Sequence, residues 1–183
     1  MVKFKNVVKA YGNLVAVKNL DLEIPEGELV VLIGPSGCGK TTTLKMVNRL
    51  IEPTSGSIFI RDRNVMDLNP VALRREIGYV IQQIGLFPNM TIEQNIDVVP
   101  RLLGWPAEKR KRRVYELLEM VGMEPDIYAP RYPNELSGGQ QQRIGVLRAL
   151  AAEPPLILMD EPFGALDPIA RESLQDELKS LHS

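Results

Sequence analysis

The sequence predicts an α/β fold on a mostly parallel sheet, with a helical segment inserted between two of its strands. Three observations support that prediction. Residues 28–33, Glu-Leu-Val-Val-Leu-Ile, form a near-continuous apolar run, the pattern of a strand buried on both faces. A second apolar run, Leu156 to Met159, ends in Asp160 and Glu161. Between them, roughly residues 85–150 show helical periodicity, and strands alternating with helices favour parallel pairing.

The elements follow in order. Residues 2–8 and 19–24 alternate as strands, with Val2 and Phe4 on one face, and Leu20, Leu22 and Ile24 on another. Pro25-Glu26-Gly27 is a turn ahead of the 28–33 strand, and a helix is predicted from Lys40 to about Leu50. Pro53-Thr54-Ser55-Gly56 is a further turn, Ser57 to Ile60 a short strand, and 76–82 a strand ending in Gln82. Thr91 to Leu103 and Ala107 to Val121 read as helices separated by Gly104-Trp105-Pro106. In the second, Val114, Leu117, Leu118 and Val121 share one face. The basic run Lys109 to Arg113 reads as a solvated helix face, because Glu108, Glu116 and Glu119 sit within pairing distance; a nucleic-acid or lipid contact is the competing reading. Asn134 to Ser137 leads into a third helix ending near Ala152, and a last helix is expected from about Pro168 to His182.

With 183 residues the chain is long enough for one domain with a substantial core. Its 22 basic and 23 acidic side chains give a net charge of −1, which argues against general nucleic-acid binding. A single cysteine cannot form an internal disulfide framework and suits a reducing compartment. No apolar run reaches the roughly 18 residues of a membrane span, and the first residues carry no apolar leader core. The expectation is a cytoplasmic protein whose membrane role, if any, comes through a partner.

Gly34-Pro35-Ser36-Gly37-Cys38-Gly39-Lys40-Thr41 follows the apolar run and opens a helix, the context that a phosphate-binding loop requires. Glycines at 34, 37 and 39 allow a tight turn that brings N–H groups onto phosphate oxygens. The helix start adds unsatisfied N–H groups and a positive dipole end. Lys40 then supplies a charge to the β- and γ-phosphates of ATP, Thr41 a hydroxyl to Mg²⁺, and Thr42 completes the binding stretch. Cys38 reads as a small space-filler there. Asp160 and Glu161, leaving a buried strand, read as a carboxylate that orients Mg²⁺ through water and a general base that polarises the attacking water. Ser137 is a good helix N-cap, and Gly138 and Gly139 behind it weaken the helix by roughly 1 kcal/mol each relative to alanine. That cost makes sense where an anion must approach the backbone closely.

On these motifs the chain resembles the nucleotide-binding subunit of an ATP-binding-cassette (ABC) transporter. The likeness covers essentially the whole sequence: Walker A at Gly34 to Thr41, the signature at Leu136-Ser137-Gly138-Gly139-Gln140, and the Walker B end at Asp160-Glu161. The resemblance implies a P-loop NTPase core of 1–84 and 153–183 with a mostly parallel sheet, an N-terminal antiparallel β part, and a helical subdomain over about 85–152. It implies a head-to-tail homodimer in which each ATP lies between the cradle of one copy and the signature of the other. Tyr11 matches the aromatic that stacks on adenine, although alone it would read as a strand-end surface tyrosine. Gln82 matches the glutamine that reaches Mg²⁺ and the attacking water, and Asp167, in Ala165-Leu166-Asp167, the loop that contacts the partner's cradle. Gly85-Leu86-Phe87-Pro88 matches the surface that receives a transmembrane permease, with internal packing of Leu86 and Phe87 as the alternative. The permease would hold the protein at the inner face of the membrane, and a substrate-binding protein would act indirectly.

The family pattern also includes a further strand ending in a histidine, and the sole histidine here, His182, falls in a helical stretch near the end. The C-terminal strands of the family fold are therefore expected to be missing, and a fragment that binds nucleotide but hydrolyses it slowly is the alternative to a working ATPase. Met46 to Pro53, Val80 to Pro88 and Leu102 to Pro106 resemble in wording the importer branch for quaternary-amine osmoprotectants such as glycine betaine, carnitine and choline. An ATPase acting on DNA or ribosomes is disfavoured, since no sustained heptads separate cradle from signature.

Overall fold

The computed structural model describes residues 1–81 and 85–162, in two compact units that meet in sequence after Arg74. In the first unit, β1 (Val2–Tyr11) alternates inward and outward only as far as Phe4. Asn6 then takes a left-handed φ of 49°, the register shifts, and Val7 turns inward in its place. β2 (Leu14–Ile24) pairs antiparallel with β1 across a two-residue Gly12-Asn13 turn, so this strand starts well before the predicted 19. β3 (Ser55–Ile60) covers the other edge of β1, and the short β4 (Arg63–Asn64) follows, in the order β2-β1-β3-β4.

Helix α1 (Lys40–Val47) stops short of Leu50. Arg49 adopts φ 53°, the Leu50 N–H bonds the Lys45 carbonyl at 2.9 Å, and the Arg49 N–H bonds that of Met46 at 3.2 Å, a Schellman ending. Glycine usually fills that position. Here the guanidinium of Arg49 reaches the carbonyls of Val65, Met66 and Leu68, which holds the strained backbone in place. A short α2 (Pro70–Arg75), not anticipated from periodicity, is entered through Asn69, whose Oδ1 accepts from the N–H groups of Val71 and Ala72.

The strand expected over 28–33 is a correction. Among the described residues this segment joins no ladder, and its side chains are exposed, Val31 at 71% and Ile33 at 92%. An apolar run records what a segment is suited to bury. Whether it pairs depends on neighbouring strands that periodicity does not contain.

In the second unit, β5 (Ile77–Val80) and β6 (Leu156–Met159) pair in parallel, Ile77 opposite Leu156 and Val80 opposite Met159. Between them run α3 (Ile92–Leu102), α4 (Ala107–Met120), α5 (Pro125–Tyr128) and α6 (Gly138–Leu150). Val114, Leu117, Leu118 and Val121 are buried as predicted, in one core with Ile92, Ile96, Ile144 and Leu147. α6 buries a second face as well: Val146 and Ala149 pack with Val80 of β5. A side chain at Gly78 would collide with the Ala149 carbonyl, so glycine lets helix and strand approach. The basic run on α4 is tied down only in part as read: Arg112 and Arg113 lie near Glu116, while Lys109 and Lys111 sit over the rings of Trp105 and Tyr115. Arg110 turns instead to Asp97 of α3 at 2.6 Å. Burial outweighs that pull and raises the Asp97 carboxyl above its ordinary range. Among the described residues no helix is long and apolar enough to cross a membrane. Gln82, Gln83, Asp167, His182 and the helix expected from about Pro168 lie outside the described residues.

Candidate functional site

The cradle sits in the first unit. Its loop enters α1 through Gly39, at φ 96°, with no side chain capping the helix start. The first-turn N–H groups therefore form a ready anion site. Lys40 folds back over the loop: its ammonium donates to the carbonyls of Gly34 at 2.8 Å and Pro35 at 3.0 Å and lies 3.8 Å from Cys38 Sγ. Pro35, Ser36, Gly37 and Cys38 are exposed, and Thr41 and Thr42 are half-buried on the first turn. A Cβ at Gly39 would meet the Ala16 carbonyl of β2 at 2.5 Å. Gly39→Ala is thus expected to destabilise the fold by at least about 1–2 kcal/mol from the left-handed backbone alone, read from the urea midpoint.

The acidic pair and the signature belong to the second unit. The Asp160 N–H donates to the Val80 carbonyl at 2.9 Å, which extends the β5–β6 ladder one residue beyond Met159. Asp160 is buried, while Glu161 next to it is exposed and takes a left-handed φ of 49°. That conformation is uncommon for a side-chain-bearing residue and is tolerated where surroundings hold it. Burial, with the charge of Asp160 second, pushes the Tyr79 hydroxyl up to about 12, so Tyr79 stays neutral beside the carboxylate. Ser137 caps α6 through a reciprocal box: its Oγ accepts from the Gln140 N–H at 3.3 Å, and its N–H donates to Gln140 Oε1 at 2.9 Å. Gln140 Nε2 donates to the Tyr128 hydroxyl at 3.2 Å. Leu136 is buried in the helical core and anchors the turn, which leaves Ser137 and Gly138 exposed and Gly139 half-buried.

Gly138 and Gly39 make opposite cases. Among the described residues, a Cβ at Gly138 would meet nothing within 4 Å. Its lack of a side chain serves no neighbour in its own surroundings, which fits a backbone kept bare for another molecule. Gly138→Val is expected to keep stability within about 1 kcal/mol of the parent while lowering ATP turnover by at least about 10-fold through lost electrostatic stabilisation. Thermal unfolding and a phosphate-release assay on the same preparation check both halves.

A glycine-rich loop opening a helix, an Asp-Glu pair ending a parallel strand and a capped Ser-Gly-Gly turn are thus all formed. The family model described as ABC transporter matches residues 17–164, which span all three. The chain belongs to the ABC transporter family. It is 69% identical over 99% of its length to the glycine betaine/carnitine/choline transport ATP-binding protein OpuCA of Bacillus subtilis (strain 168), and covers 48% of that protein. It is 60% identical over 97% of its length to the osmoprotectant import ATP-binding protein OsmV of Salmonella typhimurium, again covering 48%. The chain therefore spans about half the length of the curated relatives it matches. Among solved structures, the ATP-binding cassette MJ0796, in a dimeric post-hydrolysis state bound to ADP and Pi, superposes with a TM-score of 0.88 at 40% identity. That match covers all of this chain and 83% of the other.

The remaining positions of this ABC transporter chain separate into those described and those not. Tyr11 ends β1 half-exposed, with the Lys9 ammonium 4.9 Å from its ring centroid. Gln82 and Asp167 lie outside the described residues. Leu86 packs against the helical core, as the alternative reading had it, while Phe87 is 43% exposed beneath the guanidinium of Arg148. Sequence reasoning missed what holds this loop. Asn95 is fully buried, accepts from the Phe87 N–H at 2.8 Å and donates to the carbonyls of Phe87, Met90 and Thr91. Arg148 donates to the Gly85 carbonyl at 2.8 Å, and burial lowers its pKa. An asparagine beside Ile92 and Ile96 on the inward face of an amphipathic helix is a signal that was available. So is Gln142, on the same stripe of α6 as Val146 and Ala149.

Proposed function

We propose that this chain is the ATP-binding part of a subunit that hydrolyses ATP to drive import of quaternary-amine osmoprotectants. The supporting observation is the cradle closed by Lys40, in a chain 69% identical to a glycine betaine/carnitine/choline transport protein. Residues 1–84 and 153–183 serve as the nucleotide-binding core and about 85–152 as the helical subdomain. Two copies stack head to tail. The cradle of one, Gly34 to Thr42, and the exposed Ser137 and Gly138 with the half-buried Gly139 of the other hold the triphosphate, with Tyr11 against adenine. Lys40 exchanges its loop carbonyls for phosphate oxygens, and Glu161 accepts a proton from the attacking water. Asp167 contacts the partner's cradle, and the surface around Phe87 receives the permease, which keeps the cytoplasmic subunit at the membrane.

Thr41, Asp160 and Gln82 would hold Mg²⁺. A hydroxyl, one carboxylate and an amide suit this ion, which completes its shell with phosphate oxygens and water. No group of three His, Cys, Asp or Glu side chains gathers among the described residues, so the donor set does not point to a tighter, all-protein metal cage. When bound, Mg²⁺ neutralises phosphate charge during transfer. The test is reconstitution of the full-length subunit with its permease in vesicles. ATP-dependent uptake of labelled glycine betaine, carnitine or choline is the expected result. Hydrolysis without uptake of any of the three would overturn the osmoprotectant assignment and leave the ATPase standing.

A further inference from the structure

α6 does more than present the signature turn. Four residues beyond Gly138, Gln142 is 1% exposed, on the face of α6 that meets the sheet. Its Nε2 donates to the Pro162 carbonyl at 2.7 Å. That carbonyl belongs to the residue after Glu161, whose backbone is held at φ 49°. The other half of the same amide, Oε1, is buried with no hydrogen-bond partner among the described residues. Burying an amide with half its capacity unused lowers stability, and an apolar side chain of similar volume would avoid that cost. A residue kept only for packing would be apolar here, like Val146 and Ala149 further along the stripe.

We infer that Gln142 is a positioning residue for hydrolysis: its amide fixes the Glu161-Pro162 turn and so aims the Glu161 carboxylate from the same helix that carries the signature. The inference rests on the reading of Glu161 as the group that polarises water. Glu161 follows a strand only four residues long and occupies a left-handed conformation. The hydrogen bond on the next carbonyl opposes relaxation of this turn toward ordinary backbone, a relaxation that would shift the carboxylate. A displacement of about 1 Å at such a group costs on the order of 10²-fold in rate.

The test uses the full-length subunit and four variants, with ATP turnover, nucleotide affinity and thermal stability measured for each. Gln142→Met keeps the volume and removes both the donor and the orphaned oxygen. Its kcat is expected to fall by about 10–100-fold, with KM for ATP within about twofold and melting temperature unchanged or raised. Gln142→Glu cannot donate while ionised, so its turnover relative to the parent should recover as pH falls and the carboxyl regains a proton. In the Glu161→Gln background, Gln142→Met should cost nothing further, because both act on one step. A Gln142→Met enzyme with parental kcat overturns the inference, as does a Gln142→Glu variant that keeps parental turnover at alkaline pH after its introduced carboxyl has ionised. The second result decides the matter even if the methionine variant does not fold. If Glu161→Gln turns over normally, the reading of the glutamate falls and the inference with it. If Glu161→Gln is inactive while Gln142→Met is normal, the inference alone falls.

Discussion

Lys40→Ala is expected to lower ATP turnover by about 10²–10³-fold, the size of loss that follows removal of one preorganised donor to a developing oxyanion. The fold should survive. The ammonium contacts two loop carbonyls, of Gly34 and Pro35, and both residues are exposed. Once released, those carbonyls hydrate, so stability should change by no more than about 1 kcal/mol. Nucleotide binding should weaken along with turnover, because the charge acts on ground-state phosphates as well. Calorimetric titration with MgATP, beside a melting curve, separates the two effects. A variant that melts like the parent and still binds ATP with parental affinity would remove the cradle from the account.

Glu161→Gln should show the complementary pattern. Turnover falls by about 10²–10⁴-fold, the range for losing a positioned general base, yet ATP binds at least as tightly, since a negative charge near the γ-phosphate is gone. The substitution is isosteric, and glutamine is no worse than glutamate at φ 49°, so the turn before Pro162 is preserved. Asp160 is the contrasting neighbour. Its side chain is buried, so losses at that position mix structure with chemistry. Single-turnover hydrolysis and equilibrium binding on the same Glu161→Gln preparation check the prediction.

What could be read from the residues divides along one physical line. Ser137, Gly138 and the helix behind them are legible because capping is local: a serine with glutamine three residues on names its own partner. The buried face of α4 is legible because burial repeats with the helix period. The bulge at Asn6 is not, since a one-residue shift of face leaves no period to detect. Arg49 hides the end of α1, because the residue that favours a left-handed ending is glycine and the compensating carbonyls come from residues 65–68. The segment 28–33 misleads for the related reason that a strand needs partners remote in sequence. Gln142 and Asn95 escape because a polar residue on an apolar stripe declares only that it has a partner, not which one.

The central claim is that the signature of one copy completes the site made by the cradle of another. Mixing two inactive variants tests it directly. A Lys40→Ala copy keeps its signature, and a Gly138→Val copy keeps its cradle. In a head-to-tail dimer of the two, one of the two sites is whole. Mixed in equal amounts, they should recover on the order of a quarter of parental turnover, since half the dimers are mixed and each carries one intact site of two. Turnover in the mixture no higher than that of the two variants measured apart would contradict the claim.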